Sequence, residues 1–426
     1  MDLFHSPEFS SHVEELMEEH HVPGVSIAIV QNETIASTGY GKLSFEPPVP
    51  CTADTLFNIA SASKSLTAAS VGLLIDDNKH YPEVQYDATM SNLLPGDFVT
   101  SEAGYTESIT VEDILSHRSG IPPHDFSYMS SRAAEPDDAN MMYIVATYLI
   151  EKKAGISFAD FVRKHFFGPL EMNSTSLQPE AARVKGLGDC ITAGYIWDAD
   201  SREYKELQTP GSPEAQGVGF IITSVNDYIR WVKAMMNHEG PITEGIYKGL
   251  VKSRIFQNPE AENLNLHDGA DPGFGTVHFF LPEFKFGSAI FGNSSDGGIV
   301  AAIVMRELID EVLRVPRAER PDWNKIVSAE NSGGKNSDEE KLHLKLSPGI
   351  QEPQPQKTPL NRSMGFTLTL EHICDQTKYI AHMSDFLEGG YDPLIAEFKL
   401  EGDKASKLGV DLESDIEELI WFTRVQ

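Results

Sequence analysis

The sequence is poor in cysteine and has no long apolar run. Its 426 residues include three cysteines, Cys51, Cys190 and Cys374, which are too scattered for a disulfide framework or a metal cluster. No stretch is apolar enough to span a bilayer, and the first residues lack the basic, then apolar, order of a secretory signal. These absences predict free thiols and a cytoplasmic location.

Positive charge is also scarce. The chain carries 34 Lys and Arg against 64 Asp and Glu, a formal net charge of −30. Nucleic acids and anionic membranes are polyanions, so we expect neither as a partner. The remaining expectation is a small-molecule substrate, while the composition leaves the oligomeric state open.

Several catalytic and cofactor motifs are missing. We find no Gly-x-Ser-x-Gly elbow, no phosphate-binding glycine loop and no His-Glu-x-x-His zinc motif. His20, His21, His117 and His124 lack the carboxylate or cysteine spacing of a metal site. The sequence therefore predicts neither a metal nor a cofactor.

What is present is the pattern of a globular protein with strands at both ends of its main part. Residues 25–30 and 34–40 are two β-rich runs separated by a short turn, which predicts a hairpin. Residues 276–281 and 287–292 are predicted to be a second strand pair, and residues 299–313 an amphipathic helix. Helical patterns lie between them. This order predicts an α/β fold of the α+β type, with an antiparallel sheet built from both ends of the domain and a helical insertion.

Composition also divides the chain. Residues 1–314 are predicted to be the main domain, and residues 315–363, rich in Pro, Ser, Asn, Gln and charge, are predicted to be a linker. Residues 364–426 contain short β-rich runs separated by turn residues, which predicts a small all-β module.

One short motif suggests catalysis. In the apolar, small-residue stretch Phe57–Ala69, helical spacing places Lys64 one turn after Ser61 and on the same face. A serine hydroxyl needs a partner to become nucleophilic, and a partly desolvated lysine could take or relay its proton. The alternative is that Ser61 caps the helix and Lys64 is a solvated charge. Because Ser-x-x-Lys is a short pattern and recurs at Ser332–Lys335, only its context can decide.

That context resembles a known family. Five segments are similar to segments of the serine β-lactamase-related family: Ile59–Lys64, Ile109–Pro122, Phe161–Met172, Gly217–Asp227 and Pro272–Asn293. The family includes class C β-lactamases, penicillin-binding proteins with D-Ala-D-Ala carboxypeptidase activity, esterases, D-aminopeptidases and lovastatin-type acyltransferases. The resemblance extends over about residues 8 to 313, and the module at 364–426 resembles the lipocalin-like C-terminal domain of some members.

The resemblance implies roles for particular residues. Ser61 would be the nucleophile and Lys64 its activating partner. His267-Asp268-Gly269 matches the family's third motif, whose strand lies beside the nucleophile. The backbone N–H of Ala270 would then join that of Ser61 in an oxyanion hole. His267 equally fits a surface histidine.

The second family motif, Tyr-x-Asn, is altered. Its position reads Asp138-Ala139-Asn140, so Asn140 fits the substrate-binding amide while the proton-shuttling tyrosine is absent. Asp138 could act as a base if burial raises its pKa, and Tyr128 or Tyr143 could replace the tyrosine. The alternative is that Asp138 and Asn140 cap a helix and that Tyr143 belongs to the core. Two segments near this motif and before His267 are shorter than usual, through either real loss or a faulty gene model.

The resemblance therefore implies a serine hydrolase or acyltransferase that acts on a small ester or amide, including a secondary metabolite, through an acyl-serine intermediate. The altered second motif leaves one alternative, a catalytically impaired member that has a binding or scaffold role.

Overall fold

The computed structural model describes residues 4–100, 103–121, 141–199, 201–207, 211–213, 215–254, 265–335, 366–374, 378–385, 394–401, 404–410 and 420–423. The chain divides into two compact units. One comprises Met1–Ser119 and Met142–Glu339, and the other comprises Gly120–Met141 and Glu340–Gln426.

The helices of the described residues lie before residue 336. They are α1 Pro7–Glu19, α2 Lys64–Asp76, α3 Met90–Leu93, α4 Ala103–Ser108, α5 Val111–Leu115, α6 Met141–Ala154, α7 Phe158–Val162, α8 Pro179–Val184, α9 Gln216–Gly219, α10 Val225–Asn237, α11 Glu244–Val251, α12 Gly297–Val312 and α13 Trp323–Lys335. Short 3-10 turns lie at Ala60–Ser63, Gly188–Cys190, Pro282–Phe284 and Arg317–Glu319, and a π-turn lies at Arg163–Phe167.

The strands of the described residues fall into four sheets. They are β1 Gly24–Gln31, β2 Thr34–Phe45, β3 Pro48–Pro50, β4 Phe57–Asn58, β5 Ser176–Leu177, β6 Gly194–Asp198, β7 Glu203–Leu207, β8 Ile221–Thr223, β9 Asn265–Asp271, β10 Phe274–Leu281, β11 Phe286–Gly292, β12 Phe366–Cys374, β13 Lys378–Asp385, β14 Leu394–Glu401, β15 Lys404–Val410 and β16 Ile420–Thr423.

The central sheet joins the two ends of the main unit. Its six strands run in the order β3-β2-β1-β11-β10-β9, and β1 pairs antiparallel with β11 from Val25 opposite Gly292 to Gln31 opposite Phe286. The predicted hairpins, β1 with β2 and β10 with β11, are both present. The predicted α+β architecture is confirmed, and the helices between residues 64 and 251 form the insertion.

Helices cover both faces of this sheet. Gly287 and Gly292 of β11 are an odd number of residues apart, so their Cα–H bonds point to opposite faces. A Cβ on Gly287 would lie 2.7 Å from Val232 of α10, whereas one on Gly292 would lie 2.7 Å from Gly297 of α12. The sheet is therefore sandwiched between α10 and α12, which explains why every residue of β11 is buried.

Side-chain caps begin several helices. Ser6 caps α1, Thr110 forms a capping box with Asp113 at α5, and Ser224 caps α10. The apolar face of α1 is buried against the central sheet and α12.

The segment predicted as a linker begins with ordered helical structure. Within residues 315–363, α13 packs on α12, where Trp323 Nε1 donates to Asp310 Oδ2 at 2.7 Å and Val327 is buried. Composition alone missed this helix, because the residues of its polar face add to the high proportion of polar residues in the segment. The boundaries at 314 and 363 otherwise stay a prediction.

The second unit contains a five-stranded antiparallel meander in the order β12-β13-β14-β15-β16. The prediction of an all-β module is confirmed for the part that the structure describes, while its bounds of 364–426 stay a prediction. The lipocalin-like character of this module stays a prediction. Over the described ranges, none of the helices combines the length and apolarity that crossing a bilayer requires.

Candidate active site

Ser61 lies in the 3-10 turn Ala60–Ser63, directly before α2. A short sheet holds the approach to this turn, because β4 pairs with β8 and Ile59 N donates to Ile221 O at 3.1 Å. Ser63 Oγ accepts from Ile221 N at 3.2 Å on the other side of the turn. The helix expected at Ser61 thus begins as a 3-10 turn and becomes α-helical at Lys64.

Ser61 and Lys64 are in direct contact. Lys64 Nζ donates to Ser61 Oγ at 2.7 Å, and the lysine is only 4% exposed. The N-cap of α2 is Ser63, which makes no side-chain capping bond. The alternative in which Ser61 is a cap and Lys64 is solvated is therefore wrong.

The backbone just before Ser61 is unusual. Ala60 has a φ of +46°, a left-handed conformation that L-residues with a Cβ rarely adopt. Its N–H donates to Asn58 Oδ1 at 2.9 Å, and Asn58 Nδ2 donates to Asp271 Oδ2 at 2.8 Å. A buried asparagine thus links the strained residue to the end of β9.

Strand β9 passes directly beside the turn. A Cβ on Gly269 would lie 2.9 Å from Ala62 N, so only glycine allows this approach. Thr276 of β10 supports the same contact, with Oγ1 at 3.2 Å from Ile59 O and 3.3 Å from Gly269 O. The structure therefore brings Gly269 against the Ser61 turn, with Ala270 next along the strand.

Histidines and a tyrosine form a polar cluster next to this turn. The rings of His267 and His278 stack at 5.7 Å, and Tyr228 Oη lies 3.4 Å from His278 Nδ1, 3.1 Å from Ser65 Oγ and 3.2 Å from Ala62 O. Burial lowers the pKa of both histidines, that of His278 well below its usual value. Both imidazoles are therefore neutral at pH 7, and His267 Nδ1 donates to Asp268 O at 2.6 Å.

A cavity of about 510 Å³ opens beside Lys64. Its polar wall includes Lys64, His267 and His278. Its apolar wall is formed by Trp231, Met235, Leu250, Leu266 and Phe280. This combination suits a ligand with a polar reacting group and an apolar substituent.

The predicted Tyr-x-Asn position, with Asp138 and Asn140, lies outside the described residues, and so does Tyr128. Tyr143 does line the cavity, and its ring centroid lies 5.8 Å from Lys64 Nζ. Its hydroxyl donates to Leu115 O at 2.8 Å, and burial raises its pKa. Tyr143 is thus near the pair, as one alternative required, while its proton is held by a backbone carbonyl.

Asp271 provides a pH-dependent test of the site. Burial raises its pKa to about 7, against the opposing effect of the Asn58 hydrogen bond. The ordinary pKa of this group is near 4, so between about pH 4 and pH 7 the unfolded state ionises while the folded state stays protonated. The free energy of unfolding is therefore highest at low pH and falls as the pH rises from about 4 to about 7. Asp271→Asn should therefore raise the free energy of unfolding at pH 8 by about 2–4 kcal/mol and change it little at pH 4.

Urea unfolding at the two pH values measures this effect. Asp268→Asn, which neutralises an exposed carboxylate on the same strand, is the matched control and should show a much smaller pH-dependent change. If the two variants change the free energy of unfolding equally at both pH values, the raised pKa of Asp271 is contradicted.

Sequence reasoning missed four residues of this site. Asn58 and Asp271 are 213 positions apart, so no local pattern could pair them. His278 had a signal, because it is a titratable residue within the largely apolar strand β10, whereas Tyr228 lies among the buried residues of α10, where a tyrosine is ordinary. Among the residues that the structure describes, no group of three or more His, Cys, Asp or Glu could hold a metal ion.

Comparison with solved structures establishes the fold. The octameric penicillin-binding protein homologue from Pyrococcus abyssi aligns with a TM-score of 0.61 at 17% identity, over 97% of this chain and 98% of that one. A class C beta-lactamase from Rhodobacter sphaeroides aligns with a TM-score of 0.55 at 16% identity, over 71% of this chain and 99% of that one.

Sequence comparison gives the family. The unguisins hydrolase of Aspergillus campestris is 32% identical over 365 residues, which cover 75% of this chain and 67% of that protein. The beta-lactamase family model matches residues 9–311, the greater part of the chain and the region around Ser61 and β9. The chain therefore belongs to the beta-lactamase family.

Proposed function

We propose that this protein is a serine hydrolase that cleaves a small ester or amide through an acyl-Ser61 intermediate. The observation that carries the proposal is the 2.7 Å contact between Lys64 Nζ and Ser61 Oγ at a lysine that is almost fully buried. A serine is weakly nucleophilic unless a neighbouring base removes its proton. The pair places such a base within hydrogen-bonding distance.

The proposed reaction has two steps. Ser61 Oγ bonds to the carbonyl carbon while its proton passes to Lys64 Nζ or is relayed through it, and the leaving alcohol or amine departs with a proton. Water, or an alcohol or amine acceptor, then attacks the acyl carbon and restores Ser61. The N–H groups of Ser61 and Ala270 are the proposed donors to the oxyanion. This role requires β9 to lie beside the Ser61 turn, and the close approach of Gly269 to Ala62 N supports it.

The substrate class is argued from two observations. The cavity has a polar wall at Lys64 and an apolar wall at Trp231 and Phe280, which fits a carbonyl compound with an apolar substituent. A relative that shares 32% identity is named as a hydrolase of unguisins. We therefore favour hydrolysis over acyl transfer and a secondary metabolite as the substrate, and unguisins belong in the first substrate panel.

A covalent probe tests the proposal. We expect a fluorophosphonate to modify the wild-type protein, and tandem mass spectrometry of the digest to place the adduct on Ser61. Ser332, which is in the other Ser-x-x-Lys motif, is an internal control in the same chain and should remain unmodified. An adduct elsewhere would contradict the nucleophile assignment.

The altered second motif favours a second candidate function. Asp138 stands where the family has tyrosine, and the Tyr143 hydroxyl donates to Leu115 O. If the wild-type protein forms no adduct and hydrolyses neither p-nitrophenyl butyrate nor unguisins, a binding or scaffold role replaces the proposed enzyme.

A further inference from the structure

Asn58 and Asp271 connect the turn that carries Ser61 to strand β9. Asn58 is fully buried, and its amide has one partner on each side. Its Oδ1 accepts from Ala60 N, and its Nδ2 donates to Asp271 Oδ2 at 2.8 Å. Since an N–H needs an acceptor and a carboxylate needs a donor, these two partners fix the orientation of the amide.

The first partner matters because of where Ala60 lies. A residue with a Cβ stays in the left-handed conformation only if its surroundings hold it there, and the hydrogen bond to Asn58 is such a restraint. Ala60 directly precedes Ser61. Its backbone angles therefore determine where the Ser61 N–H and hydroxyl point.

The second partner, Asp271, lies on β9, the strand that carries the other proposed oxyanion donor. Asp271 follows Ala270 on β9, two residues after Gly269, which contacts the turn. The contact between Asn58 and Asp271 therefore joins a residue three positions before Ser61 to the residue directly after Ala270, the second proposed oxyanion donor. Two backbone N–H groups on separate elements can serve one oxygen only if their spacing is held.

We propose that Asp271 is a positioning residue, whose hydrogen bond with Asn58 holds the Ala60–Ser63 turn against β9 and so sets the spacing of the Ser61 and Ala270 N–H groups. This inference rests on the proposed function, because the spacing matters only if Ser61 is acylated.

The charge of Asp271 gives the contact a pH dependence. With a pKa raised by burial to about 7, the carboxyl group changes charge in the neutral range, and the ionised form accepts the stronger hydrogen bond. The titratable side chains on the elements that pack most closely on β9 are Lys64 after the turn, His278 on β10, and Arg306, Glu307, Asp310 and Glu311 on α12. The causes of the raised pKa are burial and, opposing it, Asn58.

The test measures fluorophosphonate labelling of Ser61 between pH 5 and 9, together with kcat and KM for p-nitrophenyl butyrate. Asp271→Ala removes the acceptor, and we expect labelling and kcat at pH 8 to fall about tenfold while KM stays nearly constant. Asp271→Asn keeps an acceptor oxygen without the charge. We expect it to retain activity within about threefold and to lose the rise in rate centred near pH 7.

The matched control is Glu19→Gln, which neutralises an exposed carboxylate that also accepts from an asparagine, Asn324 Nδ2, at 2.8 Å. Its rates and pH profile should equal those of the wild type. If both Asp271 variants label at the wild-type rate with the wild-type pH profile, the proposal is overturned, even if their stability changes. Should Asp271→Ala not fold, the pH profile of Asp271→Asn decides alone. Failure of the wild-type protein to be labelled would instead contradict the proposed function.

Discussion

Replacing Lys64 with methionine is expected to slow fluorophosphonate labelling of Ser61 by about 10²- to 10⁴-fold, the range over which a positioned general base accelerates proton transfer. Methionine fills a similar volume without an amine, so Ser61 Oγ loses the partner that lies 2.7 Å away. The change also replaces a buried polar amine with an apolar side chain, so we expect the thermal midpoint to be unchanged or raised. The measurements are the second-order labelling rate and the thermal midpoint of the same samples, with Ser61→Ala as the zero reference.

Lys185→Met is the matched control for this experiment. Lys185 also donates through its Nζ to a neighbouring oxygen, Thr175 O at 2.6 Å, but it is an exposed residue that does not line the cavity. This variant should label at the wild-type rate. Labelling of Lys64→Met that is equally fast would show that Ser61 reacts without Lys64, and a different base would then have to be sought.

Much of the fold could be predicted because its signals are local. Short β-rich runs marked β1, β2, β10 and β11, because the residues that favour strands lie next to one another in the sequence. The pairing of β1 with β11 followed from the presence of strand pairs at both ends of the domain. Helix α13 was missed because a half-polar helix inside a polar segment has few buried residues to reveal it.

The site was predictable only in part. Ser61 and Lys64 are three residues apart, so helical spacing was sufficient to place them together, and the structure has them in contact. Their catalytic roles stay a prediction that the labelling experiments test. The approach of Gly269 was expected from family resemblance alone, because nothing in the local sequence determines which loop packs against β9.

The contacts around Ser61 that sequence analysis missed are non-local. Asn58 resembles any polar residue at the end of a strand, and Asp271 resembles any turn residue before Pro272 and Gly273. The contact between these two residues forms only when the fold brings β4 and β9 together, so neither local sequence predicts it. The positive φ of Ala60 was equally hidden, since the left-handed conformation is typical of glycine or asparagine rather than alanine.

Gly269→Ala is expected to lower the labelling rate of Ser61 by about 10²-fold, because a displacement of about 1 Å at a reacting group has an effect of this size. The new Cβ would clash with Ile59 O and would lie 2.8 Å from Thr276 Oγ1 and 2.9 Å from Ala62 N. Two of these three atoms belong to the backbone around Ser61, which cannot turn aside as a flexible side chain can. Strand β9 or the turn must therefore move, and the N–H groups of Ser61 and Ala270 must separate.

The same overpacking should lower the free energy of unfolding by about 1–3 kcal/mol, which denaturant titration measures. Gly104→Ala in α4 is the matched control, because no atom lies within 4 Å of its added Cβ and alanine favours helix. It should label at the wild-type rate with equal or greater stability. If Gly269→Ala remains folded and labels as fast as the wild type, the close approach of β9 is not needed for acylation, and Ala270 cannot be the second oxyanion donor.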